Sequence, residues 1–158
     1  MTDTTPVIVM DLDGTICPIK QPNESYESLC PYQDVVAKMR EYKARGFRIV
    51  ISSARNMRTY KGNIGKINAN TLPVIIDWLR RNDIPYDEIH VGKPWCGTGG
   101  FYVDDKAIRP DEFVDWSYSE IARTISDKTI HPLRKNGTDT EGEHERVTYH
   151  PSCTTGSA

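Results

Sequence analysis

Short apolar runs that end in small or charged residues alternate along this chain with stretches in which apolar residues recur every three or four positions. The first run, Val7 to Met10, is too short for a helix and rich in β-branched residues, so it predicts a strand buried on both faces. It stops at Asp11-Leu12-Asp13-Gly14-Thr15. From Ile16 to Pro31, three prolines among polar residues predict a loop. After Tyr32 a helical face forms from Val35, Val36, Met39 and Tyr42, with Asp34 near its start and Gly46 just past its end. Phe47 to Ser52 predicts a second strand, and Arg55 to Lys66 a glycine-punctuated basic loop. A second helix takes Thr71 as cap, Pro73 in its first turn and Ile75, Ile76 and Leu79 as its buried stripe, with Trp78 at the edge. Glu88 to Val91 predicts a third strand, and Phe101 to Val103 a fourth that stops at Asp104-Asp105. A last helix opens on a Ser117/Glu120 capping box and carries Ile121 and Ile125.

Strands alternating with helices predict an α/β fold: a single Rossmann-like open parallel sheet with helices on both faces. Right-handed crossovers constrain the order; if the first strand is central, with the second and third on one side and the fourth on the other, the chain reverses direction between strands one and four. Asp11, Asp13, Ser53, Lys93, Asp104 and Asp105 all lie just past strand ends, so this topology gathers them in the crevice at the switch point. Between Ser53 and Lys93 there is room for about one helix and one loop, so no large cap domain is expected. Residues 1–126 read as the folded domain, and 127–158, poor in large apolar residues, as a polar tail expected to be flexible.

Composition narrows the function classes. A chain of 158 residues can bury a core as one domain, and 20 basic against 22 acidic residues argue against a dedicated nucleic-acid or membrane-surface binder. The four cysteines form no C-x-x-C pair and read as reduced thiols. The first residues lack the regions of a signal peptide and no apolar run reaches about 18 residues, so a cytoplasmic location is expected.

Asp11 and Asp13, two apart on an extended backbone, can point to one side, and Gly14 supplies the freedom to turn main-chain N–H groups toward them. An acidic Asp-Gly turn after a strand is the plain alternative. Three or four carboxylates around one point ask for a hard divalent cation such as Mg²⁺, with a hydroxyl and a lysine to hold a dianion opposite. That set suits phosphoryl transfer, with Asp11 as candidate nucleophile and Asp13 as candidate general acid and base.

Four stretches carry a resemblance in order: Asp11-Leu12-Asp13-Gly14-Thr15, Ser53 in Ile49-Val50-Ile51-Ser52-Ser53-Ala54-Arg55, Lys93-Pro94, and Val103-Asp104-Asp105. Together they resemble the four motifs of the haloacid dehalogenase superfamily of phosphatases. Arg55 to Tyr60, Val91 to Gly97 and Gly100 to Asp105 resemble more narrowly the small capsule biosynthesis phosphatases. The resemblance implies a phosphomonoester hydrolase acting on a phosphorylated sugar or polyol in surface polysaccharide synthesis. It implies Asp11 as nucleophile and metal ligand, and Asp13 as acid/base whose main-chain oxygen also binds Mg²⁺. Ser53 and Lys93 would hold the phosphoryl group, Asp104 would bind the metal and Asp105 would support it. Spacing to Arg55 favours Ser53 over Ser52.

Without a cap, specificity falls to short loops, the tail or a neighbouring subunit, which is compatible with a homo-oligomer. Arg55, Arg58 and Lys61, with Lys66, are the candidates for gripping an anionic substrate, against the alternative of a solvated basic surface. Trp95 reads equally as a sugar-stacking ring or as loop packing, and Cys17 and Cys96 as small packed thiols. Two other functions fit the same residues: a phosphatase of nucleotides or polynucleotide ends, and a phosphoaspartate receiver-like signalling module.

Overall fold

The computed structural model describes residues 5–126 of the chain. Its elements in order are β1 (Val7–Met10), a single 3₁₀ turn (Tyr26–Ser28), α1 (Gln33–Ala44), β2 (Arg48–Ser53), α2 (Ile64–Asn70), α3 (Leu72–Arg81), β3 (Glu88–Val91), α4 (Pro110–Asp115) and α5 (Tyr118–Ser126). The strands pair in parallel in the order β1-β2-β3, with Ile8 opposite Ile49, Met10 opposite Ile51, and Ile51 opposite Ile89. The fold is therefore α/β, an open Rossmann-like parallel sheet, with no large cap domain among the described residues.

Alternation along the strands divides the sheet into two faces. Met10, Ile49 and Ile51 lie on the buried face and share one core cluster with Val35, Val36, Met39 and Tyr42 of α1 and Ile75, Trp78 and Leu79 of α3. The helical period expected after Tyr32 is the one observed. Each such side chain taken out of water contributes roughly 1.5–3 kcal/mol. Phe113 of α4 stacks on Tyr42 at 5.5 Å between centroids, and Phe47 meets Tyr42 edge-on at 4.9 Å. The Ser117/Glu120 box forms as expected: Ser117 N–H donates to Glu120 Oε2 at 2.7 Å and Glu120 N–H to Ser117 Oγ at 3.3 Å.

The opposite face corrects the expectation for β1. Val7 and Val9 are 48% and 64% exposed, so the strand is buried on one face only. Among the described residues β1 is an edge, not the centre, because Phe101 to Val103 forms no strand; Phe101 and Val103 stand 79% and 88% exposed. β-propensity registers fit to a pleated, half-buried surface, and a three-residue run without a pairing partner supplies none.

Other differences are local. The basic loop closes at Asn63, whose Oδ1 accepts the Lys66 N–H at 3.0 Å and starts α2. Thr71 precedes α3 but does not cap it with its side chain; its hydroxyl donates to Asn56 Oδ1 at 3.0 Å, fastening the helix start to the loop. Trp78 is fully buried at the centre of the core rather than at its edge, and Ile76 is half-buried. Cys17 and Cys96 carry free thiols, but Cys30 is disulfide-bonded, so the reduced-thiol reading does not hold for it. No helix among the described residues is long and apolar enough to cross a membrane. The polar tail expected at 127–158 lies outside the described residues.

Candidate active site

Parallel strands present their C-terminal ends on one side, and the polar residues just past β1, β2 and β3 meet there. Gly92, with φ +85°, turns the chain after β3, and the Lys93 N–H then donates to the Ser53 carbonyl at 3.1 Å. This anchors Lys93 to the end of β2. Its Nζ lies 3.1 Å from Asp11 Oδ2, joining residues 82 apart in sequence, and sits 4.5 Å from the centroid of the Tyr102 ring. The other Asp11 oxygen accepts the Leu12 N–H at 2.8 Å.

Asp13 has a different cation. Arg55 donates from Nη2 to Asp13 Oδ1 at 2.8 Å and from Nε to Oδ2 at 3.2 Å, a two-point fork that fixes both carboxylate oxygens. The Arg55 side chain is fully buried, its guanidinium carbon 4.0 Å from the centroid of the Tyr26 ring. Nη2 also reaches Cys17 Sγ at 3.7 Å, while Nη1 is buried with no hydrogen-bond partner. The Arg55 N–H donates to Ser53 Oγ at 3.1 Å, so one serine is tied through its side chain to Arg55 and through its carbonyl to Lys93. Burial alone would lower the Arg55 pKa, but the hydrogen bond and charge of Asp13 outweigh it and hold the group above its ordinary value. Burial first, then the charge of Asp13, push the Cys17 thiol up to about 12. Cys17 is thus a neutral packed thiol and no nucleophile at neutral pH.

The turn after Asp13 closes on itself. Thr15, Ile16 and Cys17 all direct their N–H groups to the Leu12 carbonyl, at 3.1, 2.9 and 3.1 Å, and Gly14, with φ +82°, donates to the Cys17 carbonyl at 2.7 Å. The expectation that Gly14 turns these groups toward the carboxylates is corrected: the turn consumes them.

Two other expectations change with position. Arg55, read as a substrate grip, is 3% exposed and committed to Asp13, because Tyr26 and Cys17 wall it in. Nothing in the sequence marks Tyr26 as its partner, since an aromatic in a proline-rich loop carries no periodic signal. Arg58 and Lys61 are exposed as a grip requires, with the Arg58 guanidinium 5.7 Å from the Trp95 ring centroid. Asp104 and Asp105 are exposed in a turn, where Asp104 Oδ1 accepts the Lys106 N–H at 2.8 Å. No group of three or more His, Cys, Asp or Glu side chains that could hold a metal forms among the described residues, so the expected gathering of Asp11, Asp13, Asp104 and Asp105 is not assembled. The reason is that the segment before Asp104 does not pair alongside β1. By donor chemistry the four still fit a hard cation, since each offers only oxygen.

A crystal structure of a structural-genomics target from Vibrio cholerae is similar to this chain, with 50% sequence identity and a TM-score of 0.73 over 77% of this chain and 97% of that one. No family model matches the chain, and no curated protein does.

Proposed function

We propose that this chain, which belongs to the same family as that Vibrio cholerae protein, is a Mg²⁺-dependent phosphomonoester hydrolase working through an aspartyl-phosphate on Asp11. The substrate class is a phosphorylated sugar or polyol of surface polysaccharide synthesis. The observation that carries the reading is the pairing of Lys93 Nζ with Asp11 Oδ2 at 3.1 Å beside Asp13, at the ends of parallel strands. A cation contributed from another strand end next to a carboxylate is what an in-line attack on a phosphate dianion needs.

In this mechanism the Asp11 oxygen attacks phosphorus and the bond to the leaving oxygen breaks. That oxygen takes a proton from Asp13. Lys93 moves from Asp11 to the phosphoryl oxygens, and Ser53, fully buried in this structure with its Oγ accepting the Arg55 N–H, would turn its free proton toward them once the crevice opens to substrate. Water then attacks phosphorus, the bond from phosphorus to the Asp11 oxygen breaks to restore the carboxylate and release inorganic phosphate, and Asp13 takes the proton of the water. Asp11, Asp104 and the main-chain oxygen of Asp13, with Asp105 in support, would hold Mg²⁺, which would supply neutralising charge to the phosphoryl oxygens. Arg58 and Lys61 are left to meet the rest of an anionic substrate. A cytoplasmic location belongs to the same proposal, and the disulfide at Cys30 is the observation against it.

The test is release of phosphate from p-nitrophenyl phosphate with Mg²⁺. Asp11→Asn is expected to cut turnover by about 10³-fold or more with an unchanged circular dichroism spectrum. Retained turnover in that variant sinks the reading. Release of no more than one phosphate per wild-type chain favours a receiver-like module instead.

A further inference from the structure

We propose that Arg55 is a positioning residue: it holds the Asp13 carboxylate in one orientation through a two-point fork and takes no part in gripping substrate. The role rests on the phosphatase reading above and assigns Arg55 within it.

Three observations carry this assignment. First, the guanidinium is spent. Nε and Nη2 engage both oxygens of Asp13 at 3.2 and 2.8 Å, and Nη2 also contacts Cys17 Sγ. Second, it is enclosed. The side chain is fully buried, and the Tyr26 ring lies 4.0 Å from the guanidinium carbon. The buried Nη1, which finds no hydrogen-bond acceptor, is tolerable because the cation faces the negative surface of that ring. Third, the residue that makes the fork and the loop that covers it are both anchored to the fold. The Arg55 N–H is bonded to Ser53 Oγ at the end of β2, and the loop that carries Tyr26 is fastened to α3, where Trp78 Nε1 donates to the Leu29 carbonyl at 2.8 Å. A carboxylate gripped at both oxygens by an anchored planar fork cannot swing about its own bonds. Lysine, a point charge on a flexible stem, keeps the charge and loses the fork.

The test is a double-mutant cycle of Arg55→Lys and Asp13→Asn, assayed with Mg²⁺ on p-nitrophenyl phosphate and on phenyl phosphate. Phenoxide is the more basic leaving group and depends more on a well-placed acid. Arg55→Lys is expected to lower kcat by about 10- to 100-fold with KM nearly unchanged. The loss should be larger on phenyl phosphate, and in the Asp13→Asn background the lysine should cost nothing further. A raised KM with kcat kept, or an equal loss in both backgrounds, overturns the positioning role. Tyr26→Leu, which opens the cover and keeps the fork, runs in the same cycle and decides the matter if Arg55→Lys does not fold. Its smaller loss in kcat must likewise vanish in Asp13→Asn, and persistence there overturns the role. Asp11→Asn assayed alongside separates the two failures. Turnover in that variant removes the phosphatase reading itself; an inactive Asp11→Asn with Arg55 losses independent of Asp13 removes only the positioning role.

Discussion

Gly92 decides where Lys93 goes. Its φ of +85° lies where side chains are strained, and a Cβ built there would fall 2.5 Å from Ile64 Cδ1 at the start of α2. Ile64 Cδ1 is the tip of an exposed side chain and can turn aside, so Gly92→Ala is strained chiefly through its φ, which the turn must relax. A stability loss of about 1–3 kcal/mol is expected by urea denaturation. Turnover should fall by about 10-fold or more, since Lys93 would be carried away from Asp11. Single residues were unequally legible from sequence. Asp11 and Lys93 stand out because each follows a β-branched run, and position at a strand end is itself a geometric statement. Arg55 showed only its charge. Its walls, Tyr26 and Cys17, belong to a loop that is fastened through the Leu29 carbonyl to Trp78, far along the chain.

At the scale of elements, α3 shows how a stripe is chosen. From Ile75, a period of three to four selects Trp78 and Leu79, and the indole N–H that makes tryptophan awkward in a core is satisfied by the Leu29 carbonyl at 2.8 Å. Trp78→Ala is expected to cost about 3–5 kcal/mol in chemical denaturation, with faster amide exchange in the 16–31 loop as its local sign. The long elements α1 and α3 and the three paired strands were readable because their apolar periods repeat. Two short helices, α2 and α4, offer too few turns to establish a period, and both begin on cap hydrogen bonds, Lys66 N–H to Asn63 and Arg109 N–H to Glu112. Phe101 to Val103 erred in the other direction: its composition suits a strand, but pairing is a property of two segments and only one can be read locally.

For the whole molecule, Asp87 is the point where several elements close together. Its carboxylate takes the Lys43 ammonium of α1 and, at 2.8 Å, the Ile49 N–H of β2, while its own N–H donates to the Ile49 carbonyl at 2.8 Å, just before β3 begins. The Lys43 hydrogen bond first, then that from Ile49, hold its pKa below the ordinary value. A carboxyl whose pKa is lowered by folding stabilises the native state above its unfolded pKa of about 3.9, and that contribution fades as pH falls through the folded value. Asp87→Asn should accordingly lower the urea midpoint at pH 7, with the difference from wild type shrinking as pH drops below about 4.

The two ion pairs of the crevice have a kinetic consequence. Lys93 is neutralised by Asp11 and Arg55 by Asp13, and the chain as a whole carries a net charge of −2. With those two charges cancelled inside the crevice, the field that draws in a phosphate dianion is left to the exposed Arg58 and Lys61 and to the divalent cation of the proposal. On the phosphatase mechanism proposed above, capture becomes an exchange of counter-ions, in which the incoming anion must win Lys93 from the carboxylate that would attack it. Releasing that carboxylate from its ammonium is what leaves it free to react, so the arrival of substrate and the arming of the nucleophile are one event.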